Sequence, residues 1–169
     1  MTDVRSLPEL DLNRYLGLWF EIARLPLRWE DEGASCVTAS YSMNDDRTIT
    51  VDNRCFDADG KPVQSLGRAK PVDGEPAQLR VSFLPELLRW IPFTEGDYWV
   101  LKIDDNYQHA LVGTPDHKYL WLLARTTVID KAKEKEFLEY ASELGFDLDA
   151  LIRPHHDGRR VSEADLAAA

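Results

Sequence analysis

Apolar and polar residues alternate with period two over most of this chain. Trp19, Glu21 and Ala23 share one face of the first alternating run, and Phe20, Ile22 and Arg24 share the other. Just before it, Asp11 or Asn13 can cap a single helical turn whose apolar face is Tyr15 and Leu16. Gly17 then permits a sharp change of direction. Alternation returns in Cys36–Met43, Thr48–Cys55, Val63–Ala69, Leu79–Phe83, Asp97–Ile103, His109–Val112 and Tyr119–Arg125. Turn-forming residues separate these runs at 44–47, 57–62, 71–76, 104–107 and 114–118, and longer connections occupy 26–34 and 84–95. The pattern predicts a meander of about eight short antiparallel strands. The period changes only after Asp130, which can cap a helix over about residues 130–144. Phe137, Ala141 and Leu144 recur there at helical spacing, and Gly145 ends it. Phe146–Pro154 reads as a short extra strand and 155–169 as a flexible polar tail, which leaves 1–154 as a single domain.

A meander of this length leaves two sheet edges unless it closes, and eight strands close around an interior wide enough for one small ligand. The expected fold is therefore all-β: an eight-stranded antiparallel up-and-down barrel with an N-terminal helical turn and one flanking C-terminal α-helix. The bulkier apolar face of each strand is taken as the inner one. It carries Val37, Ala39 and Tyr41 on the second strand, and Ile49, Val51 and Asn53 on the third. Leu79, Val81 and Phe83 follow on the fifth, Tyr98, Val100 and Lys102 on the sixth, and Tyr119, Trp121, Leu123 and Arg125 on the eighth. The opposite set on the sixth and eighth strands, Trp99, Leu101, Leu120 and Leu122, is expected under the helix or at a subunit contact. Seven reversals bring Arg125 back to the end where Trp19 begins. A cation–π contact between them, worth about 0.5–2 kcal/mol, would plug that end as a floor and leave the other end open.

Composition narrows the functions available. The 169 residues carry a formal net charge of −10, which argues against nucleic acid or bare anionic lipid as the main partner. The N-terminus has no apolar signal region, so the chain as given reads as cytoplasmic, or as outer-membrane or periplasmic if a leader has been removed. Cys36 and Cys55 face opposite sides of their hairpin and read as free thiols. His109 and His117 are isolated and His155 and His156 point apart, so no metal site is expected. No nucleophile elbow, P-loop or dinucleotide motif occurs, and neither catalytic residues nor a cofactor are expected.

Three regions taken together resemble the lipocalin family. They are Gly17-x-Trp19 after a helical turn, the turn from Asp104 to Tyr107, and Arg125 at the end of the last strand. The runs 11–24, 96–101, 107–112 and 119–126 are most similar to the bacterial and plant temperature-induced lipocalins, with apolipoprotein D more distant. The resemblance implies a cup for a fatty acid or lysophospholipid, with Trp121 in its wall. It makes Gly17, Trp19 and Arg125 the structural signature. Exported bacterial members are anchored through an N-terminal cysteine, which this chain does not contain.

The expected ligand wall is Ala39, Tyr41, Val51, Asn53, Leu79, Val81, Phe83, Tyr98, Val100, Tyr119, Trp121 and Leu123, joined by Trp90 and Phe93 at the mouth. Lys102 reads either as the partner of a fatty-acid carboxylate or of an internal carboxylate such as Glu21. The loop Leu84–Phe93 is unusually apolar and reads as a lid, a membrane-touching surface, a homodimer contact or an inward-folded rim, with Arg89 available for a headgroup. The alternatives to a lipid binder are an isomerase or peroxide-scavenging protein using Cys55, and a tetrapyrrole or carotenoid carrier.

Overall fold

The computed structural model describes residues 3–27, 30–83 and 95–169. After the single turn α1 (Leu12–Tyr15), the strands are β1 (Gly17–Arg24), β2 (Ser35–Met43), β3 (Ile49–Phe56), β4 (Pro62–Val72), β5 (Glu75–Ser82), β6 (Gly96–Ile103), β7 (His109–Gly113) and β8 (Leu120–Ala124). Each pairs antiparallel with its neighbours in sequence, and β8 closes on β1. Two helices follow, α2 (Lys131–Glu143) and α3 (Glu163–Ala168). The expected all-β barrel with a flanking helix is the observed architecture.

Two apolar layers result. Tyr41, Ile49, Val51, Leu79, Val100, Val112 and Leu123 pack inside the barrel on Tyr15 and Trp19. Outside, Leu101, Leu111, Leu120 and Leu122 meet Phe137 and Ala141 of α2, with Trp99 packed against the same cluster. That resolves the doubly apolar sixth and eighth strands: their outer faces lie under the helix. Asp130 caps α2 by accepting from the backbone N–H groups of Ala132 and Lys133, and Gly145, at φ +97°, turns the chain away.

Three expectations change. The turn placed over 71–76 is only Asp73-Gly74, because β4 runs on to Val72 and β5 starts at Glu75. Pro71 and Pro76 fit there because β3 pairs β4 only as far as Ala69 and β6 pairs β5 only from Gln78, so neither proline interrupts a ladder on that side. The extra strand placed over 146–154 shrinks to one bridge, in which Ile152 and Arg24 exchange both backbone hydrogen bonds. The flexible tail expected from 155 onward instead lies along the barrel. Cys36 N–H donates to the His155 carbonyl. His156 Nε2 meets the Glu21 carbonyl at 2.7 Å. Val161 packs with Cys36 and Phe56. Arg54 reaches both the Val161 carbonyl and the Glu163 carboxylate. Ser162 and Asp165 close a capping box that starts α3.

Candidate ligand-binding site

The floor is built where α1 enters β1. The Trp19 side chain is fully enclosed, and its indole N–H donates to the Tyr15 carbonyl at 2.8 Å. The Arg125 guanidinium carbon lies 3.6 Å from the centre of the Trp19 ring, as the strand order predicts. The same guanidinium donates to the carbonyls of Arg14, Tyr15, Leu16, Leu18 and Tyr107, so it ties α1, β1 and the β6–β7 turn together. Gly17 has φ +100°, and a Cβ there would stand 3.5 Å from Arg125 Nη1. Arg14 covers this turn from outside, 4.1 Å above the Tyr107 ring.

Above the floor, Tyr98 hydroxyl donates to Tyr41 hydroxyl at 2.9 Å and is also hydrogen-bonded to Tyr15 hydroxyl. Three phenols thus satisfy one another among the apolar side chains above the floor. Burial pushes the Tyr41 phenol up to about 12 and those of Tyr15 and Tyr98 well above their ordinary value. Trp121 stacks between Tyr98, at 6.5 Å and 23°, and Tyr119, at 6.2 Å and 29°. The expected wall residues Tyr41, Val51, Leu79, Val100 and Leu123 are buried in this interior cluster, and Ala39, Val81, Tyr98 and Trp121 pack against it half-buried. Asn53 lies opposite Ala39, and its side-chain carbonyl is buried without a hydrogen-bond partner. Phe83 sits just past the end of β5, 42% exposed, with its ring where a Gly67 Cβ would collide at 2.8 Å. Trp29, Arg89, Trp90 and Phe93 lie outside the described residues, as does the rest of the 84–93 loop.

Two strand irregularities move charged residues across the wall. In β6 the register shifts between Val100 and Lys102, so Leu101 and Lys102 together oppose Leu111. Lys102 therefore faces outward, contrary to expectation. Its ammonium meets Glu136 at 3.4 Å and sits 5.4 and 5.2 Å from the Phe137 and Tyr140 ring centres. In β1 the shift lies between Glu21 and Ala23, so Ile22 and Ala23 both face the outer core and Arg24 turns inward to pair with Trp121. The alternation had placed Arg24 outside and Ala23 inside.

The inward turn produces a buried ionic group. Arg24 is fully enclosed and Glu21 is 4% exposed. Glu21 and Glu30 each bring a carboxylate oxygen within 3.3 Å of Arg24 Nε, and Arg24 Nη2 donates to the Asp31 carbonyl at 2.8 Å. Burial raises the Glu21 carboxyl well above the carboxylate range, and Glu30 rises with it. Period-two reading carries no signal for a bulge, which is why this group was missed.

Both thiols are free. Cys36, at φ +52° beside a register shift in β2, points away from the interior and donates to Asp157 at 3.2 Å. Burial, reinforced by Glu30 and Glu21, pushes the Cys55 thiol up to about 12. Among the described residues no group of three or more His, Cys, Asp or Glu side chains could hold a metal ion, and no helix is long and apolar enough to cross a membrane.

Residues 10–156 match the lipocalin-like domain family. The chain is 41% identical over 145 residues to temperature-induced lipocalin-1 of Arabidopsis thaliana, covering 84% of this chain and 77% of that protein. It is 43% identical over 145 residues to the outer membrane lipoprotein Blc of Escherichia coli K12, with the same coverage. The solved structure of insecticyanin from Manduca sexta shares the fold with a TM-score of 0.70 at 23% identity, covering 96% of this chain and 87% of that one. The family binds small hydrophobic ligands. The closed barrel, the Trp19–Arg125 floor and these matches show that the chain belongs to the lipocalins.

Proposed function

We propose that this lipocalin binds a single-chain lipid, a fatty acid or a lysophospholipid, inside the barrel. The observation that carries this reading is the half-buried Trp121, stacked between two tyrosines and packed on an interior cluster that includes Val51, Leu79, Val100 and Leu123. Transfer of an acyl chain onto such a wall contributes about 0.8 kcal/mol per buried methylene before ordering costs. Ala39, Val51, Leu79, Val81, Val100 and Leu123 would contact the chain, with Phe83 and Tyr119 toward the mouth. Titrating the protein with oleate and with oleoyl lysophospholipid tests this through tryptophan emission. Saturable quenching is expected in the wild type and most of it is lost in Trp121→Phe; no response to any acyl ligand would refute the reading.

Further support for a lipid-facing mouth comes from its rim, where Val63 and Phe83 are 40% and 42% exposed. We assign membrane contact to this rim and place homodimer contacts second. The bacterial relatives named as outer membrane lipoproteins favour a cell-envelope location over the cytoplasm. The role is one of binding and carriage, not catalysis. A peroxide-scavenging Cys55 would need a thiolate, and its surroundings favour the thiol.

A further inference from the structure

The buried group on β1 sets two carboxyls against one cation. Pairing of β1 with β8 fixes Glu21 opposite Leu123 and Arg24 opposite Trp121. Glu30 reaches them from the connection between β1 and β2, at the end of the barrel away from the Trp19–Arg125 floor. Arg24 Nε stands 3.3 Å from an oxygen of each carboxyl and is aligned for a hydrogen bond with neither. Glu21 Oε2 and Glu30 Oε1 are buried, and no N–H group among the described residues donates to them. The two carboxyls instead hydrogen-bond each other. That bond requires a proton on one of them, because a carboxylate has no donor. With the proton in place, one carboxylate faces one guanidinium and the charge balances.

The surroundings offer no substitute for that proton. On β2, Tyr41 senses the Glu21 charge, and its hydroxyl is engaged with Tyr98. On the β3 side, Cys55 and Asp57 add only neutral or negative groups. Strand β8 presents Leu123 and Trp121. In the connection, the Asp31 carboxylate accepts from the N–H groups of Gly33 and Ala58. His156, from the C-terminal segment, meets the Glu21 backbone carbonyl and not its carboxyl. Loss of the proton therefore leaves two adjacent carboxylates on one cation in a site largely closed to water, where like charges repel strongly.

The three groups are not equally free to respond. Arg24 and Glu21 belong to β1, with side chains 0% and 5% exposed, whereas Glu30 lies outside the strands at 14%. Arg24 ties residues 30–34 to β1 by holding the Glu30 carboxyl near Nε and the Asp31 carbonyl on Nη2. We propose that Glu21 and Glu30 form a proton-operated latch, which holds residues 30–34 against β1 while the two carboxyls share a proton and releases them when it is lost. Glu30 then moves into solvent and Glu21 keeps Arg24. Burial holds the Glu21 carboxyl above its ordinary value, so the folded protein keeps the proton past about pH 4.3, where a free glutamate sheds it. The clasp is complete below that pH and is lost as pH rises through the folded value. It is a property of the chain and does not depend on which ligand the barrel takes.

A nitroxide at position 32, an exposed site in the segment, reads the latch directly. It is attached to Glu32→Cys in a Cys36→Ser, Cys55→Ser background, which also removes Cys55 as a titrating neighbour. Between about pH 5 and 9.5, below the tyrosine range, the ratio of mobile to immobile signal should rise by up to about tenfold per pH unit, the slope of one proton. Near-UV circular dichroism should stay constant over the same range. In Glu21→Gln the amide keeps a donor toward Glu30 at every pH, and in Glu30→Gln one carboxylate remains for Arg24, so the rise should vanish in both. A ratio that is flat with pH when both glutamates are present overturns the latch. So does a rise that persists in either glutamine variant, or one that accompanies loss of the near-UV signal. If a variant does not fold, 13C NMR of labelled glutamate side chains decides: one carboxyl must titrate above the ordinary glutamate range in step with the label, and its absence overturns the proposal.

Discussion

At the scale of single residues, the interior is governed by polar atoms in an apolar wall. The three phenols of Tyr15, Tyr41 and Tyr98 bond one another, and burial raises all three above the ordinary tyrosine value, Tyr41 to about 12. The folded protein therefore holds these protons more tightly than the unfolded chain, whose tyrosines titrate near 10. Their contribution to stability is complete below about pH 10 and is lost as pH rises through the folded values. Absorbance of tyrosinate at 295 nm should show three of the six tyrosines silent at pH 10.5 and released together with the loss of near-UV circular dichroism. A smooth titration of all six with the fold intact would contradict the buried hydroxyl cluster. The same logic explains Cys55, whose surroundings favour the neutral thiol and argue against redox chemistry in the cup.

At the scale of elements, two bulges and a docked C-terminal segment shape the site. One extra residue in β6 turns Lys102 onto α2, and one in β1 turns Arg24 into the interior. The segment after Pro154 covers Cys36 through the Cys36–His155 backbone bond, the contact of the Cys36 thiol with Asp157, and the Val161 side chain. Removing residues 155–169 should expose that thiol. In a Cys55→Ser background, the rate of Cys36 labelling by a thiol reagent is expected to rise about tenfold or more, because labelling then no longer waits for a local opening. An unchanged rate would mean that β2 and β3 protect Cys36 without help. Removal of the segment also takes away the partners of Arg54 at Val161 and Glu163.

At the scale of the whole molecule, the barrel has a closed floor around Trp19 and Arg125, and the proposed binding site lies above it. Arg125 is the common donor for five carbonyls and the cover of Trp19. Arg125→Met keeps much of the apolar stem but leaves those carbonyls short of a donor, and is expected to cost about 2–4 kcal/mol. A lower urea midpoint with an unchanged slope measures that loss. At a temperature where the variant is folded, its affinity for an acyl ligand should stay within about threefold of wild type. If affinity collapses while stability holds, ligand and floor are in contact and the barrel is oriented the other way.

Alternation and turn chemistry were enough to read the barrel and its strand order from the sequence. Period two fixes which side chains share a face, strand count fixes that β8 ends beside the start of β1, and Asp130 with Gly145 brackets the one long helix. The apolar wall around Trp121 and the Trp19–Arg125 contact followed from the same arithmetic. The reading stopped where the period is broken. A bulge inserts one residue without any change in composition, so the inward turn of Arg24 and the outward turn of Lys102 were decided by closure of the sheet and by the partners each charge found there. The docking of residues 155–169 was likewise invisible, because it depends on single contacts to Cys36, Arg54 and the β1 backbone and not on a repeating apolar face. Local periodicity therefore determined the container, and tertiary packing determined where its charges point.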